Sequence, residues 1–235
     1  EVDTVLELDE QGLDRLDFRA LGADEPVTVD LANAALLARH GRRSIRTDTD
    51  LSSFLENVTG GSGNDRISGN EKANNFRGQG GNDTLTGLTG QDTLEGESGN
   101  DVLDGGDNFD TLWGGDGDDT LVGGSGDDLL DGMDGNDSLQ GDDGYDVLTG
   151  GAGNDTMAGG LLSDRYVFEP ASQLAADDVD TVLEFDGQGL DRLDFRALGI
   201  DEPVVVDLSN PELLAQHGRR IVRTDIGMSS YLENV

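Results

Sequence analysis

The sequence predicts an all-β fold, a right-handed parallel β-roll (a solenoid of about six 18-residue coils) flanked by small mixed β/α capping segments. Three observations predict it. A period of nine runs without insertion from Gly60 to Val167, giving twelve units. The eighth position of every unit is apolar: Ile67, Phe76, Leu85, Leu94, Leu103, Leu112, Leu121, Leu130, Leu139, Leu148, Met157 and Tyr166. Finally, residues 1–58 align without gaps to residues 178–235, with 43 of 58 positions identical. The chain therefore divides into an N-terminal capping segment (1–59), the repeat block (60–167) and a C-terminal capping segment (168–235).

Within a unit, positions 7 to 9 read as a short strand with its middle side chain turned inward. Positions 1 to 6 read as a turn. Glycine stands at position 1 in all twelve units and at position 4 in nine, Lys72, Asn108 and Leu162 being the exceptions. Glycine there supplies positive φ angles and lets neighbouring backbones come close. Two units make one coil, so unit n lies beneath unit n+2.

Composition shows that this coil needs help to form. Fifteen basic residues face fifty acidic ones, a net charge of −35, and only 34% of residues are apolar. Such a chain does not fold unaided. The charge also argues against nucleic acid, whose phosphates need lysine and arginine. No apolar run approaches the roughly 18 residues of a membrane span. Cysteine is absent, which removes disulfides and zinc–thiolate sites. The first residues, Glu1-Val2-Asp3-Thr4, carry no signal-peptide pattern, and the chain reads as an excised piece of a larger protein.

The acidic residues are not scattered. Position 6 is aspartate in eleven units and Asn74 in the other. Stacking sorts them into two columns: Asp65, Asp83, Asp101, Asp119, Asp137 and Asp155 in one, and Asn74, Asp92, Asp110, Asp128, Asp146 and Asp164 in the other. Carboxylates about 5 Å apart repel unless a cation lies between them. The same turns present glycine carbonyls free of side chains. A cage of carboxylate and carbonyl oxygens suits Ca²⁺, whereas Mg²⁺ demands stricter octahedral geometry.

The pattern Gly-Gly-x-Gly-x-Asp-x-apolar-x, seen cleanly in Gly114-Gly115-Asp116-Gly117-Asp118-Asp119-Thr120-Leu121-Val122, resembles the calcium-binding nonapeptide of the RTX (repeats-in-toxin) family. The resemblance implies one ion between turns n and n+2. Its ligands are the carbonyls of positions 2 and 4 with the aspartate of one turn, and the carbonyls of 1 and 3 with the aspartate of the next. One such cage here comprises Gly115, Gly117, Asp119, Gly132, Asp134 and Asp137. Over the block the implied carbonyl ligands at position 1 are Gly78, Gly96, Gly105, Gly114, Gly123, Gly132, Gly141 and Gly150. At position 2 they are Gly61, Gly106, Gly115 and Gly124. Position 3 adds Gly80, Ser98, Asp107, Asp116, Ser125, Asp134, Asp143 and Ala152, and position 4 adds Gly63, Gly81, Gly99, Gly117, Gly126, Gly135 and Gly144. Five gaps per column give up to about ten calcium ions, with weak or empty sites expected beside Lys72, Asn74 and Leu162. The resemblance further implies a secreted, extracellular bacterial protein passed unfolded through a type I exporter, monomeric as a fragment, and part of a toxin, adhesin or exoenzyme.

In the flanks, Thr181–Phe185 and Val204–Leu208 read as strands. Pro211–His217 reads as a short helix, with Asn210 as N-cap and Gly218 as its stop. Asp186–Asp194 is nearly another nonapeptide and resembles the cap that follows the roll in RTX proteases and lipases. A further calcium is expected near Asp186 and Asp191, or Asp9 and Asp14. His40 and His217 fall at the same place in the two copies, near the expected helix end, where a dipole contact explains them. Arg42-Arg43 and Arg219-Arg220 are expected to pair with nearby carboxylates.

No Gly-x-Ser-x-Gly element, phosphate-binding loop or EF-hand is present, so no enzyme is expected. The alternative to a calcium-responsive folding and secretion module is an adhesive one, carried by outward aromatic residues Phe109, Trp113 and Tyr145.

Overall fold

The computed structural model describes residues 2–5, 14–20, 26–31, 38–40, 43–47, 55–168, 179–183, 191–195, 204–206, 215–217, 220–224 and 232–234. They form two sheets, of fourteen and ten strands. Alternate units feed alternate sheets. Arg66–Ser68, Thr84–Thr89, Val102–Asp107, Thr120–Ser125, Ser138–Asp143 and Thr156–Leu161 lie in the larger sheet. Asn75–Gly80, Thr93–Ser98, Thr111–Asp116, Leu129–Asp134, Val147–Thr149 and Arg165–Val167 lie in the smaller. Every pairing within the block is parallel and joins residues 18 apart, as in Leu94 on Leu112 and Leu112 on Leu130.

All twelve position-8 side chains are buried, none more than 1% exposed. They form one continuous core between the sheets, which is what a single apolar residue per unit can supply. The core runs on into the flanks through Val27, Val29, Leu31 and Val58 at one end and Phe168, Val182 and Leu193 at the other. Phe168 stacks on Phe195 with ring centroids 4.8 Å apart.

The strands are longer than the three residues expected. A typical one, Thr111–Asp116, spans positions 7 to 9 and continues through 1 to 3, leaving only positions 4 to 6 as the turn. Position 2 then takes the left-handed φ that keeps the bent strand in register. It does so whether it is glycine (Gly115, φ 119°) or not (Leu88, φ 82°; Met133, φ 74°). A β-carbon there costs about 1–2 kcal/mol, so this conformation is imposed by the stack.

The flanks extend both sheets. Val27–Asp30 and Leu55–Thr59 lie parallel to the first strands of the block, and Val179–Val182 and Asp191–Asp194 to the last. The strands Val204–Val206 and Val179–Val182 fall within or beside the expected ones. The expected helix does not. Ala215–His217 is a strand, antiparallel to Val204–Val206 on one side and to Arg220–Thr224 on the other, while residues 210–214 lie outside the described residues. Ala38–His40 forms the same strand in the first copy, so the helix-dipole account of His40 and His217 falls with the helix. Among the described residues the flanks are all β, not mixed β/α, and no helix is long and apolar enough to cross a membrane.

Candidate metal centre

Position 6 is the last residue of the turn, and its carboxylate is drawn under the coil rather than into solvent. Each aspartate from Asp83 to Asp164 is buried, at most 2% exposed. Each receives one hydrogen bond from the coil before it. The backbone N–H of Asp83 donates to Asp101 Oδ1 at 2.7 Å, that of Asp101 to Asp119 at 2.7 Å, and that of Asp119 to Asp137 at 2.8 Å. The second column repeats this from Asn74 to Asp92 at 2.6 Å and Asp92 to Asp110 at 2.7 Å.

One amide does not satisfy a buried carboxylate. In Asp83, Asp92, Asp101, Asp110, Asp119, Asp128, Asp137, Asp146 and Asp164 the other oxygen, Oδ2, meets no donor. Burial pushes these groups up, and in all but Asp92 and Asp101 nearby carboxylates add to it. Asp83, Asp110, Asp119 and Asp146 rise to about 7, and Asp92, Asp128 and Asp164 to about 6. Asp137 rises to about 8, between Asp119 and Asp155. A buried acceptor without a donor signals a missing partner.

The space beside that oxygen shows what partner fits. A β-carbon on Gly114 would collide with Asp119 Oδ2 and stand 2.7 Å from the Gly132 carbonyl oxygen. The same pair recurs at Gly123, with Asp128 Oδ2 and the Gly141 carbonyl, and at Gly105, with Asp110 Oδ2 and the Gly123 carbonyl. Beside Gly135 lie the Gly117 carbonyl and Asp137 Oδ1. Four of the six groups assigned to the cage of Asp119 and Asp137 thus fall into two pairs, each joining one coil to the next. All are oxygens, anionic or carbonyl, which suits a hard divalent cation of irregular coordination. Among the described residues no three Asp, Glu, His or Cys side chains converge, so main-chain carbonyls must complete any cage.

Position-3 carbonyls have a second task that the spacing did not reveal. Those of Ser98, Asp116, Asp134 and Ala152 accept the position-4 N–H of the preceding coil, Asp134 from Gly117 at 2.8 Å. Each keeps one lone pair for a cation.

The first coil differs. Asp65 accepts from the Val27 N–H through Oδ1 and from the Gly61 N–H through Oδ2, both at 2.7 Å, so neither oxygen is left over. Asn74 Oδ1 likewise accepts from Asn70 N–H at 3.0 Å, leaving its Nδ2 buried without a partner.

At the other end the columns run beyond the repeats. Asp164 N–H donates to Asp191 Oδ1 at 2.9 Å, and Asp155 N–H to Asp180 Oδ1 at 3.3 Å. Asp191 was expected near a metal; Asp180 was not, though Asp180-Thr181-Val182 repeats positions 6 to 8. Asp9 and Asp186 lie outside the described residues, as do Arg42 and Arg219.

Position 5 was also overlooked. Asn64, Asn82, Asn100, Asp118, Asn136 and Asn154 form an exposed rail on one side, each side-chain oxygen accepting the N–H of its successor at 2.9–3.3 Å. Its signal is asparagine recurring every 18 residues.

Gly114→Ala is expected to destabilise the calcium-bound roll by about 1–3 kcal/mol, because its β-carbon enters the cradle of Asp119. Gly80→Ala should stay within about 0.5 kcal/mol, since its β-carbon meets nothing nearer than 3.9 Å. Thermal melts in calcium compare the two; equal losses would show that the cradle is not confined.

The RTX calcium-binding nonapeptide repeat, in its four-copy form, matches residues 59–94, 95–130 and 131–166. Residues 59–166 thus match a family of calcium-binding repeats, and this stretch is the β-roll described above. No curated protein matches the chain.

Proposed function

We propose that the chain is a calcium-induced folding module of a large secreted protein, non-enzymatic itself, exported unfolded through a type I system and folded outside the cell. The observation that carries this reading is the pair of buried aspartate columns. In them nine carboxylates (Asp83, Asp92, Asp101, Asp110, Asp119, Asp128, Asp137, Asp146 and Asp164) each hold one amide through Oδ1 and leave Oδ2 without a donor, beside a carbonyl of the next coil at Asp110, Asp119 and Asp128. At cytosolic calcium the columns repel and the chain stays extended enough to thread an exporter. At millimolar calcium, ions between the coils turn the same repulsion into attraction. Up to about ten ions are proposed for the block, with Asp180 and Asp191 offering each column one further gap.

A calcium titration of the metal-free protein, followed by far-UV circular dichroism and hydrodynamic radius with Mg²⁺ as control, tests it. A cooperative gain of β-structure with compaction, absent in Mg²⁺, is the expected result. A chain already compact in chelator would refute the switch.

A groove of about 530 Å³ favours a second reading, an adhesive contact. Trp113 and Met133 line it together with Glu95, Glu97, Asp116 and Asp134, a combination that selects a basic partner. Phe109 and Tyr145 are 45% and 57% exposed on the same roll.

A further inference from the structure

The two flanking copies have nearly the same sequence and the same internal pairing. Val2 pairs with Ser44 as Val179 pairs with Ile221, Val27 with His40 as Val204 with His217, and Asp14 with Leu55 as Asp191 with Leu232. They nevertheless meet the roll through different strands. The first copy docks its later strands, Val27–Asp30 and Leu55–Thr59, on the first coil. The second docks its earlier strands, Val179–Val182 and Asp191–Asp194, on the last coil.

A sequence that folds the same way twice carries both faces each time. We propose that each flanking copy is a two-faced connector, whose early face receives the last coil of one nonapeptide roll and whose late face templates the first coil of another. Among the described residues the strands left at the ends of the sheets are the unused faces: Val2–Val5 and Asp14–Asp17 in the first copy, Val204–Val206 and Leu232–Asn234 in the second. Edges of this kind pair with whatever strand matches them, and here the occupant is fixed by the other copy. On Val204–Val206 it is a coil like that of Arg66–Ser68, in the register that sets Thr28 opposite Arg66. The joint also continues the aspartate columns. Val27 N–H donates to Asp65 Oδ1 at 2.7 Å, so Val204 N–H would donate to the corresponding aspartate of an incoming roll. At the early face Asp180 and Asp191 take the accepting side, their Oδ1 atoms receiving the Asp155 and Asp164 amides of the outgoing roll. Roll, connector and roll then form one uninterrupted solenoid rather than beads on a flexible string.

Amide hydrogen exchange in calcium tests this in two steps. In the present chain, matched positions should differ in opposite senses: Val27 slower than Val204, but Thr181 and Arg192 slower than Thr4 and Arg15. Both docked amides of the second copy already donate to the last coil, to Asp155 and Asp164 carbonyls at 2.7 and 2.8 Å. Next, a protein extended after Val235 by a second copy of residues 59–235 should slow Val204 by about tenfold or more, toward the rate of Val27. Asp65→Ala in the appended copy alone should release Val204 again. Unchanged exchange at Val204 while the appended counterparts of Leu103 and Leu121 are protected would overturn the proposal and leave the calcium reading intact. An appended roll that gains no protection would overturn it equally, since the same roll forms on the matching face of the first copy.

Discussion

Replacing Asp119 and Asp128 together by alanine, one from the middle of each column, is expected to raise the calcium concentration at the folding midpoint about two- to threefold. Each carboxylate serves two coils. Oδ1 of Asp119 accepts the Asp101 N–H and Oδ2 lies in the cradle with the Gly132 carbonyl; Asp128 does the same for Asp110 and Gly141. Losing a charge-assisted hydrogen bond costs about 1.5–3 kcal/mol, so two cost about 3–6 before any lost ion is counted. With about ten ions taken up together, a tenfold change in midpoint would need about 1.4 kcal/mol for each ion, so a loss of about 3–6 kcal/mol moves it about two- to threefold. Cutting both columns at one level should also split the single transition in two, because solenoid coils stabilise only their neighbours. In chelator the sign reverses. There burial and the repulsion of nearby carboxylates outweigh the one amide bond each carboxylate accepts, so their loss should relieve the metal-free chain. Asp65→Ala provides the contrast: both its oxygens already accept backbone amides, so bound calcium should hardly change. Equilibrium dialysis counts the ions and circular dichroism gives the midpoint. A double variant that folds at the midpoint of the parent would refute the bridging role of these columns.

The roll was legible because its pattern is redundant. A single Leu112 says little, but twelve apolar residues at one phase of nine fix the inward face and the stacking of unit n on unit n+2. The carboxylate columns follow from the same phase. Strand length did not follow, because glycine at position 1 reads as a turn. That glycine is instead required by the closeness of Asp119 Oδ2 to Gly114, within a strand that keeps its pairing on either side. The helix at 211–217 failed for a different reason. Asn210, Pro211 and Gly218 satisfy local rules for a helix, yet Ala215–His217 is claimed by strands on both sides. The first copy offered a warning, since Ala34 stands where the second has Pro211, while both copies share the strand. Asp180 escaped notice because 25 residues, not 18, separate it from Asp155, and Asp191 stands 27 beyond Asp164. Seven and nine extra residues in the sequence conceal the register that the sheet restores.

Acid should do part of the work of calcium. The buried aspartates have folded-state values raised to between about 6 and about 8, against an ordinary value near 4 in the unfolded chain. A raised value means that the folded roll binds protons more tightly than the open chain. Its contribution to stability is therefore fully present below about pH 4 and is lost as pH climbs through about 6 to 8. Each pH unit of that gap costs the metal-free roll about 1.4 kcal/mol per carboxylate. Summed over eight aspartates, even a fraction of this penalty exceeds the roughly 5–15 kcal/mol by which ordinary domains are stable. The metal-free chain should thus be expanded at pH 8 and gain compactness and parallel β-structure as pH falls toward about 4. With calcium saturating, the same carboxylates are already neutralised by the metal, and the dependence should vanish between about pH 6 and 8. Hydrodynamic radius and far-UV circular dichroism, recorded from pH 8 to 4 in chelator and in calcium, separate the two regimes. Compaction without β-structure would mean that acid merely relaxes the net charge of −35. Compaction with it would mean that a proton on Asp119 can stand where the ion stands, because what the column requires first is the removal of negative charge from a buried stack.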